Sequence, residues 1–419
     1  MQLAASIALI GGLVFLAHLF AHIFSRTRIP DVLWLLLIGV ALGPVLHWIG
    51  PKSFGVVGPA FVSITLVLIL FESGLSLQFN RLRRALPGTL ALSTLSFVGE
   101  AAIVAAATAW LTPLGIWLGA LLGVIIAGNS PTVIVPLAKG LKMGDRAHDI
   151  LFLESALGDV VSIVLALALL NFHANGWGQW VLTAGHFALG FGGAILIGAI
   201  GGLVWAVALR KTRGLQNPMF TTPAFVFLIY GGTELVHANG AIAALAFGIV
   251  LGNVEHTPLV REALPATGLN QAEMGFLGEI IFLLKTFFFV YIGLSVNFSD
   301  LNWLLFGGLL TLLLLIPRIP AVRLTLRHRV PTRDASMSAC MVAKGLAAAV
   351  LAALVVEQSL PGADALQAII YSMIFFGVVV TSILVFLANQ PFGARLMAWL
   401  LGRQPEAIST PDLKARAAD

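Results

Sequence analysis

The sequence predicts an all-α membrane protein of about thirteen transmembrane helices, built as two inverted six-helix repeats with crossed discontinuous helices. Three observations predict it. The 419-residue chain is 59% hydrophobic and only 10% charged. Soluble domains carry about 25% charged residues, so most of this chain must face lipid or other apolar helices. Residues 150–172, ILFLESALGDVVSIVLALALLNF, put two carboxylates, Glu154 and Asp159, into an apolar stretch long enough to cross a bilayer. An ionised group in hydrocarbon is costly and is kept where it meets a partner, water or a travelling ion. Just upstream, a hydrophobic helix is interrupted by Gly128-Asn129-Ser130-Pro131. Interrupted backbone is tolerated at membrane depth only where it lines protein or a water cavity. A broken helix beside a membrane carboxylate is the arrangement that ion-coupled transporters use.

The elements follow from hydropathy, since one crossing needs about 20 apolar residues. Apolar stretches fall near 3–24, 31–48, 56–78, 86–112, 115–138, 148–172 and 180–209, then 219–237, 239–254, 276–297, 302–322, 337–357 and 366–389. Basic residues confirm this division. The loops after the odd-numbered spans and the tail hold twenty Lys and Arg, among them Arg81, Arg83, Arg84, Lys139, Lys142, Arg327 and Arg329; the intervening loops hold only Lys52. By the positive-inside rule the N-terminus is expected outside and the C-terminus in the cytoplasm. The net charge of +5 thus reflects loop placement and calls for no nucleic-acid partner. The N-terminal run lacks a basic leader segment and is too long for a typical signal peptide, so it is expected to be the first membrane helix. Residues 391–419 are expected to be a short cytoplasmic tail whose LMAWLL lies at the membrane surface, and Glu262-Ala263-Leu264 to belong to a surface helix linking two halves. A single cysteine, Cys340, excludes a disulfide framework.

An odd span number predicts two inverted repeats around one linking helix. Spans 1–6 then correspond to spans 8–13, and the broken fifth span to the twelfth, MSACMVAKGLAAAVLAALVVEQ. Lys344-Gly345 near its middle is the expected second break.

IPDVLWLLLIGVALGP, LFESGLSL, the Asn-Ser-Pro break, FLESALGDVVSIV, NGAIAALAFGIVLGN, FFFVYIGLSV, PRIPAV and KGLAAAVLAAL stand in this order over residues 1–390. In this the chain resembles the monovalent cation/proton antiporters, in particular the sodium/proton antiporters of bacteria and archaea. The resemblance implies a homodimer in the bacterial inner membrane, in which a six-helix core (about 86–172 and 302–389) moves against dimerisation helices (about 1–78 and 180–297). It also implies exchange of sodium, lithium or potassium for protons.

Carried over by position, Asp159 matches the aspartate that binds cation and proton alternately. Ser155 lies one helical turn earlier on the same face and offers a hydroxyl oxygen. Glu154 lies five residues from Asp159, about 140° around the helix, too far round for both to ligate one ion. The resemblance pairs it instead with Arg318 of PRIPAV as a structural ion pair. Glu72 resembles a position that contributes to the cation site in some relatives; the alternative is a carboxylate facing the entry funnel or loop cations such as Arg83. Lys344 is expected either to compensate the dipoles of crossed half-helices or to replace a family arginine expected near Ala347. Glu100 and Glu234 are expected at the external interface, while Glu279 and Lys285, six residues apart on one helix, are expected to snorkel or contact neighbours. His148 and His237 near helix ends are expected to be solvated, with pH sensing as the alternative. The small residues from Gly240 to Ala244 and Gly248 are expected to form packing surfaces.

Two departures stand out. Where many relatives carry Thr-Asp at the break, this chain has Asn129-Ser130, and Gly158-Asp159 replaces Asn-Asp or Asp-Asp. Asp-Asp branches are associated with electrogenic exchange and Asn-Asp branches with electroneutral exchange, so Gly158 removes the usual guide to stoichiometry. One central carboxylate points to one cation per proton. Neutral oxygens at the break weaken the field most for ions that hold water tightly, which shifts preference towards potassium; sodium still stands first.

The chemistry expected is competition. A hard monovalent cation takes oxygen ligands from an aspartate, a serine and carbonyls freed at a helix break, and one carboxylate holds either a proton or the cation. No cofactor is expected beyond these transported ions, since no phosphate-binding glycine loop and no nucleophile–base set is present. The leading reading is a secondary antiporter, with a potassium/proton antiporter as its variant. An ion channel or potassium efflux pathway is the second, opposed by the absence of a selectivity-filter-like loop and of a nucleotide-binding domain within these residues. An exchange-deficient sensor is the third, resting on Asn129, Ser130 and Gly158.

Overall fold

A computed structural model describes residues 11–12, 14–16, 18–19, 31–48, 57–77, 79–175, 180–212, 218–236, 238–254, 268–296 and 300–402. The expected first helix is described only at scattered positions. His237, the surface helix expected at Glu262 to Leu264 and the tail after Gly402 lie outside the described residues.

Among the described residues all regular elements are helices. They are α1 (Asp31–Val40), α2 (Val57–Ser76), α3 (Phe79–Leu111), α4 (Gly115–Ile126), α5 (Pro131–Gly140), α6 (Asp145–Asn175), α7 (Trp180–Thr212) and α8 (Thr221–Leu235). Then come α9 (Gly240–Asn253), α10 (Gln271–Ser295), α11 (Leu301–Leu313), α12 (Leu315–Leu326), α13 (Thr332–Cys340), α14 (Leu346–Glu357), α15 (Ala363–Ala388) and α16 (Pro391–Leu400). Among the described residues seven helical stretches are long and apolar enough to cross a membrane: Gly88–Leu111, Gly115–Gly140, Asp145–His173, Leu189–Leu209, Gln271–Ser295, Leu301–Leu326 and Ala363–Ala388. Four shorter apolar helices, Val32–Val45, Ser63–Ser76, Gly240–Asn253 and Leu346–Glu357, accompany them. Of the seven, Gly115–Gly140, the stretch that is broken, is the most enclosed by protein.

That enclosure is what the break requires. Helix α4 stops at Ile126, and Pro131 opens α5 at its first turn. Proline has no N–H to continue the preceding helix, yet its fixed φ suits a first helical position. The twelfth expected span is likewise divided: α13 ends at Cys340 and α14 starts at Leu346, so the chain leaves the helix over 341–345, including Lys344-Gly345. The two interruptions touch. The Ser130 N–H donates to the Ala343 carbonyl at 3.0 Å. Gly345 makes that approach feasible, because a Cβ there would collide with the Ser130 hydroxyl. Other freed amides find side-chain oxygens: Gly128 N–H donates to Ser162 Oγ at 3.1 Å and Val342 N–H to Thr381 Oγ1 at 3.2 Å. Buried peptide groups are thereby satisfied without lipid or bulk water.

Helices α2 and α9 form a second tightly packed pair. The motif NGAIAALAFGIVLGN builds α9, and an asparagine secures each end. Asn239 accepts from Ile242 N–H at 3.0 Å as the N-cap. Asn253 accepts from Phe79 N–H at 2.8 Å and donates to the Leu77 carbonyl at 2.7 Å, fixing the turn from α2 to α3. Between these ends Gly248 lies directly on α2, as its expected packing role requires. A Cβ on Gly248 would stand 3.0 Å from Leu75 N and 3.1 Å from Gly74 Cα, and closer still to the Phe71 carbonyl. These are backbone atoms that cannot rotate away. Gly248→Ala is therefore expected to lower stability by about 1–3 kcal/mol of overpacking, outweighing a helix-propensity gain of about 1 kcal/mol. A lower Tm in detergent checks this; an unchanged Tm would show that the helices have room to part.

Candidate functional site

The site gathers on α6 where it passes the break between α4 and α5. Gly158 allows the contact: its Cβ would lie 3.2 Å from Gly128 Cα and 3.5 Å from Asn129 N. The residue that departs from the resembled pattern is thus the one against which the broken backbone packs. Any side chain there would press on the interruption itself.

Five ionisable groups are buried around this contact. Arg318 on α12 and Glu154 on α6 form a two-pronged pair, with Arg318 Nη1 donating to Glu154 Oε1 and Nη2 to Oε2, the latter at 3.1 Å. Arg318 also donates from Nη1 to Ser96 Oγ at 3.0 Å, and from Nε and Nη2 to the Ser338 carbonyl at 3.2 and 3.1 Å. All five guanidinium N–H groups therefore have partners, which makes a fully buried arginine tenable. Lys344, equally buried, donates to Glu100 Oε2 at 2.5 Å and to Asn129 Oδ1 at 2.9 Å. The Asn129 amide nitrogen in turn donates to Glu154 Oε1 at 3.3 Å. One neutral residue at the helix break thus joins two ion pairs into a single charge-balanced network.

This overturns the expectation for Glu100. It does not lie at the membrane interface; it is fully buried on α3 and paired with Lys344. Its sequence signal was the polar stripe Ser93, Ser96 and Glu100, spaced by three and four residues, which puts all three on one face of α3. The hydrogen-bonding roles of the Ser96 and Ser162 hydroxyls were also missed, because a serine in a small-residue helix carries no charge to flag it, and that of Ser338 because it acts through its backbone carbonyl.

Asp159 stands apart. It is 8% exposed, and among the described residues its carboxylate makes no hydrogen bond or ion pair. Lys344, already paired with Glu100, lies within electrostatic reach of it. Ser155 is buried, and its hydroxyl donates to the carbonyls of Leu151 at 2.9 Å and Phe152 at 3.0 Å. Ser130 caps the start of α5, and its hydroxyl shares a hydrogen bond of 2.8 Å with Thr132 Oγ1.

Glu72 finds a partner on another helix. It forms an ion pair of 3.2 Å with Lys285 on α10, which is where Lys285 finds its contact, while Glu279 stands 4.0 Å from His18. Glu72 and Lys285 line a cavity of about 170 Å³ together with Pro131 and Thr132 of α5 and Ala156 of α6. Glu234 is exposed and accepts from Gly240 N–H at 2.7 Å. His148 faces Asp149 at 3.8 Å.

This arrangement can be set beside known proteins. The sodium/hydrogen exchanger transmembrane family matches residues 11–389. The K(+)/H(+) antiporter NhaP of Alkalimonas amylolytica is 28% identical over 256 residues, covering 58% of this chain and 43% of that protein. Sodium/hydrogen exchanger 8 of Rattus norvegicus is 26% identical over 309 residues, covering 66% of this chain and 51% of its own length. This chain thus spans about half the length of these two relatives. Na(+)/H(+) antiporter 1 of Methanocaldococcus jannaschii is 24% identical over 337 residues, covering 75% of this chain and 74% of that protein. In fold, the sodium proton antiporter MjNhaP1 of the same organism superposes with a TM-score of 0.73 at 21% identity, over 91% of this chain and all of that one. The chain is an integral membrane protein that belongs to the sodium/hydrogen exchanger family of transporters.

Proposed function

We propose that the protein is a secondary antiporter in which Asp159 carries a proton in one direction and a monovalent cation in the other. One observation carries this reading: of the five buried ionisable groups around the break, Asp159 is the one without a partner among the described residues. An ionised carboxylate buried alone costs far more than a paired one. It therefore needs a proton or a cation, and each excludes the other. Ser155 supplies a neutral oxygen on the same helical face, and the backbone carbonyls freed near Asn129 and Ser130 supply others.

The surrounding network balances two carboxylates with two cations, so loading Asp159 is the one change in charge at the site. This supports exchange of one cation for one proton. Sodium is proposed first, as a hard ion suited to an oxygen site. Potassium is the second reading, because the break contributes only neutral oxygens and Asn129 Oδ1 is already engaged by Lys344. The family's exchange by movement of a core against dimerisation helices, the inverted repeats, a homodimer and cytoplasmic basic loops in a bacterial inner membrane complete the proposal.

Exchange in everted vesicles tests it with sodium, lithium and potassium in turn. Addition of the transported cation should collapse a preformed proton gradient. Where protons occupy the site, mass action raises the apparent KM about tenfold for each unit fall in pH, while the maximal rate at saturating cation stays constant. A falling maximal rate at constant KM would show that cation and proton do not compete for one group. Cation current without proton movement would indicate a channel.

A further inference from the structure

We infer that Lys285 is a built-in competitor for the transported cation: its ammonium occupies Glu72, which would otherwise hold the incoming ion in the cavity before Asp159. The inference rests on the exchange reading and deepens it. Lys285 stands in FLLKTFFF, an apolar run in the middle of the 25-residue helix α10. A lysine at such a place is costly unless it meets a partner or an ion path. It meets both, since the Glu72 carboxylate is 3.2 Å away and the two side chains line the same cavity.

The pair is poorly suited to a purely structural role. Its side chains are 24% and 35% exposed, unlike the fully enclosed Arg318 and Lys344. Partly solvated pairs contribute at most about 1 kcal/mol to stability. The cavity adjoins the exchange site: its lining includes Pro131 and Thr132, at the start of the helix that follows the break, and Ala156, the residue after Ser155. A cation reaching this cavity finds a carboxylate already holding an ammonium. Glu72 has the charge and the oxygens to bind the ion, and Lys285 reduces its availability. The two charges also cancel, so the approach to Asp159 lacks the negative field of a free carboxylate.

The test measures the half-saturating sodium concentration twice on the full-length protein: from exchange in proteoliposomes and from sodium-dependent thermal stabilisation in detergent. Lys285→Gln should lower it about fivefold in both, the equivalent of about 1 kcal/mol for a partly exposed pair. Lys285→Arg keeps the charge and should stay near the wild type. Adding Glu72→Gln to Lys285→Gln should remove the gain. An unchanged or raised half-saturating concentration in a stable Lys285→Gln protein would overturn the inference. So would a gain that persists without Glu72. A wild type that is stabilised by sodium yet exchanges nothing would overturn the antiport reading, while the binding arm still decides the role of Lys285.

Discussion

Asp159→Asn should abolish cation-induced proton flux, bringing it down to the level of vesicles without the protein, while the amount and Tm of the membrane protein stay close to wild type. Asparagine keeps the shape of the side chain and removes the charge. The fold should tolerate this well, because no hydrogen bond or ion pair to Asp159 is lost among the described residues. The contrast with its neighbours is the point: Glu100 and Glu154 are held by lysine and arginine, and they cannot exchange ligands without leaving a buried cation alone. Loss of binding should accompany loss of flux. A ligand at a hundred times its Kd stabilises a protein by about 2.7 kcal/mol, and that sodium-dependent gain in Tm should vanish in the variant. Exchange at the normal rate by a folded Asp159→Asn protein would sink the mechanism.

The second large effect concerns stability. Either Glu154→Ala or Arg318→Ala leaves one buried charge uncompensated, a loss of about 3–5 kcal/mol. Arg318→Ala also strands Ser96 Oγ and leaves the Ser338 carbonyl with the Met341 N–H alone, whereas Glu154→Ala removes the acceptor of Asn129. Replacing both by apolar residues of similar volume, as in Glu154→Leu with Arg318→Met, should cost less than either single change, since no isolated charge remains. Thermal unfolding in detergent provides the four corners of the double-mutant cycle. Additive losses would mean that the two side chains do not interact, contrary to their two-pronged hydrogen bonding.

Much of this protein could be read from local sequence. The apolar windows announced an all-helical membrane protein, and seven long apolar helical stretches stand among the described residues, because the energy of placing a segment in lipid is nearly a property of that segment alone. Gly128-Asn129-Ser130-Pro131 announced an interruption, since proline cannot continue a helix across its own missing N–H. Lys344-Gly345 indicated a second one, and the chain does leave the helix over 341–345. Glu154 and Asp159 stood out as charges in an apolar run, and their different angular positions on α6 already separated two roles.

What each charge meets was settled only in three dimensions. Glu100 and Lys344 are 244 residues apart, and Glu154 and Arg318 are 164 apart. Such partners depend on the rotation of each helix about its axis and on which helices adjoin, and local spacing encodes neither. The same holds for Asn129, whose amide joins two ion pairs because two broken helices bring their interruptions together. Glu100 was misplaced for this reason: its distance from a span end says nothing of the lysine delivered to it by another helix. Sequence alone determined that charges lie buried in the membrane; tertiary packing decided which are neutralised by protein and which one, Asp159, has no such partner among the described residues.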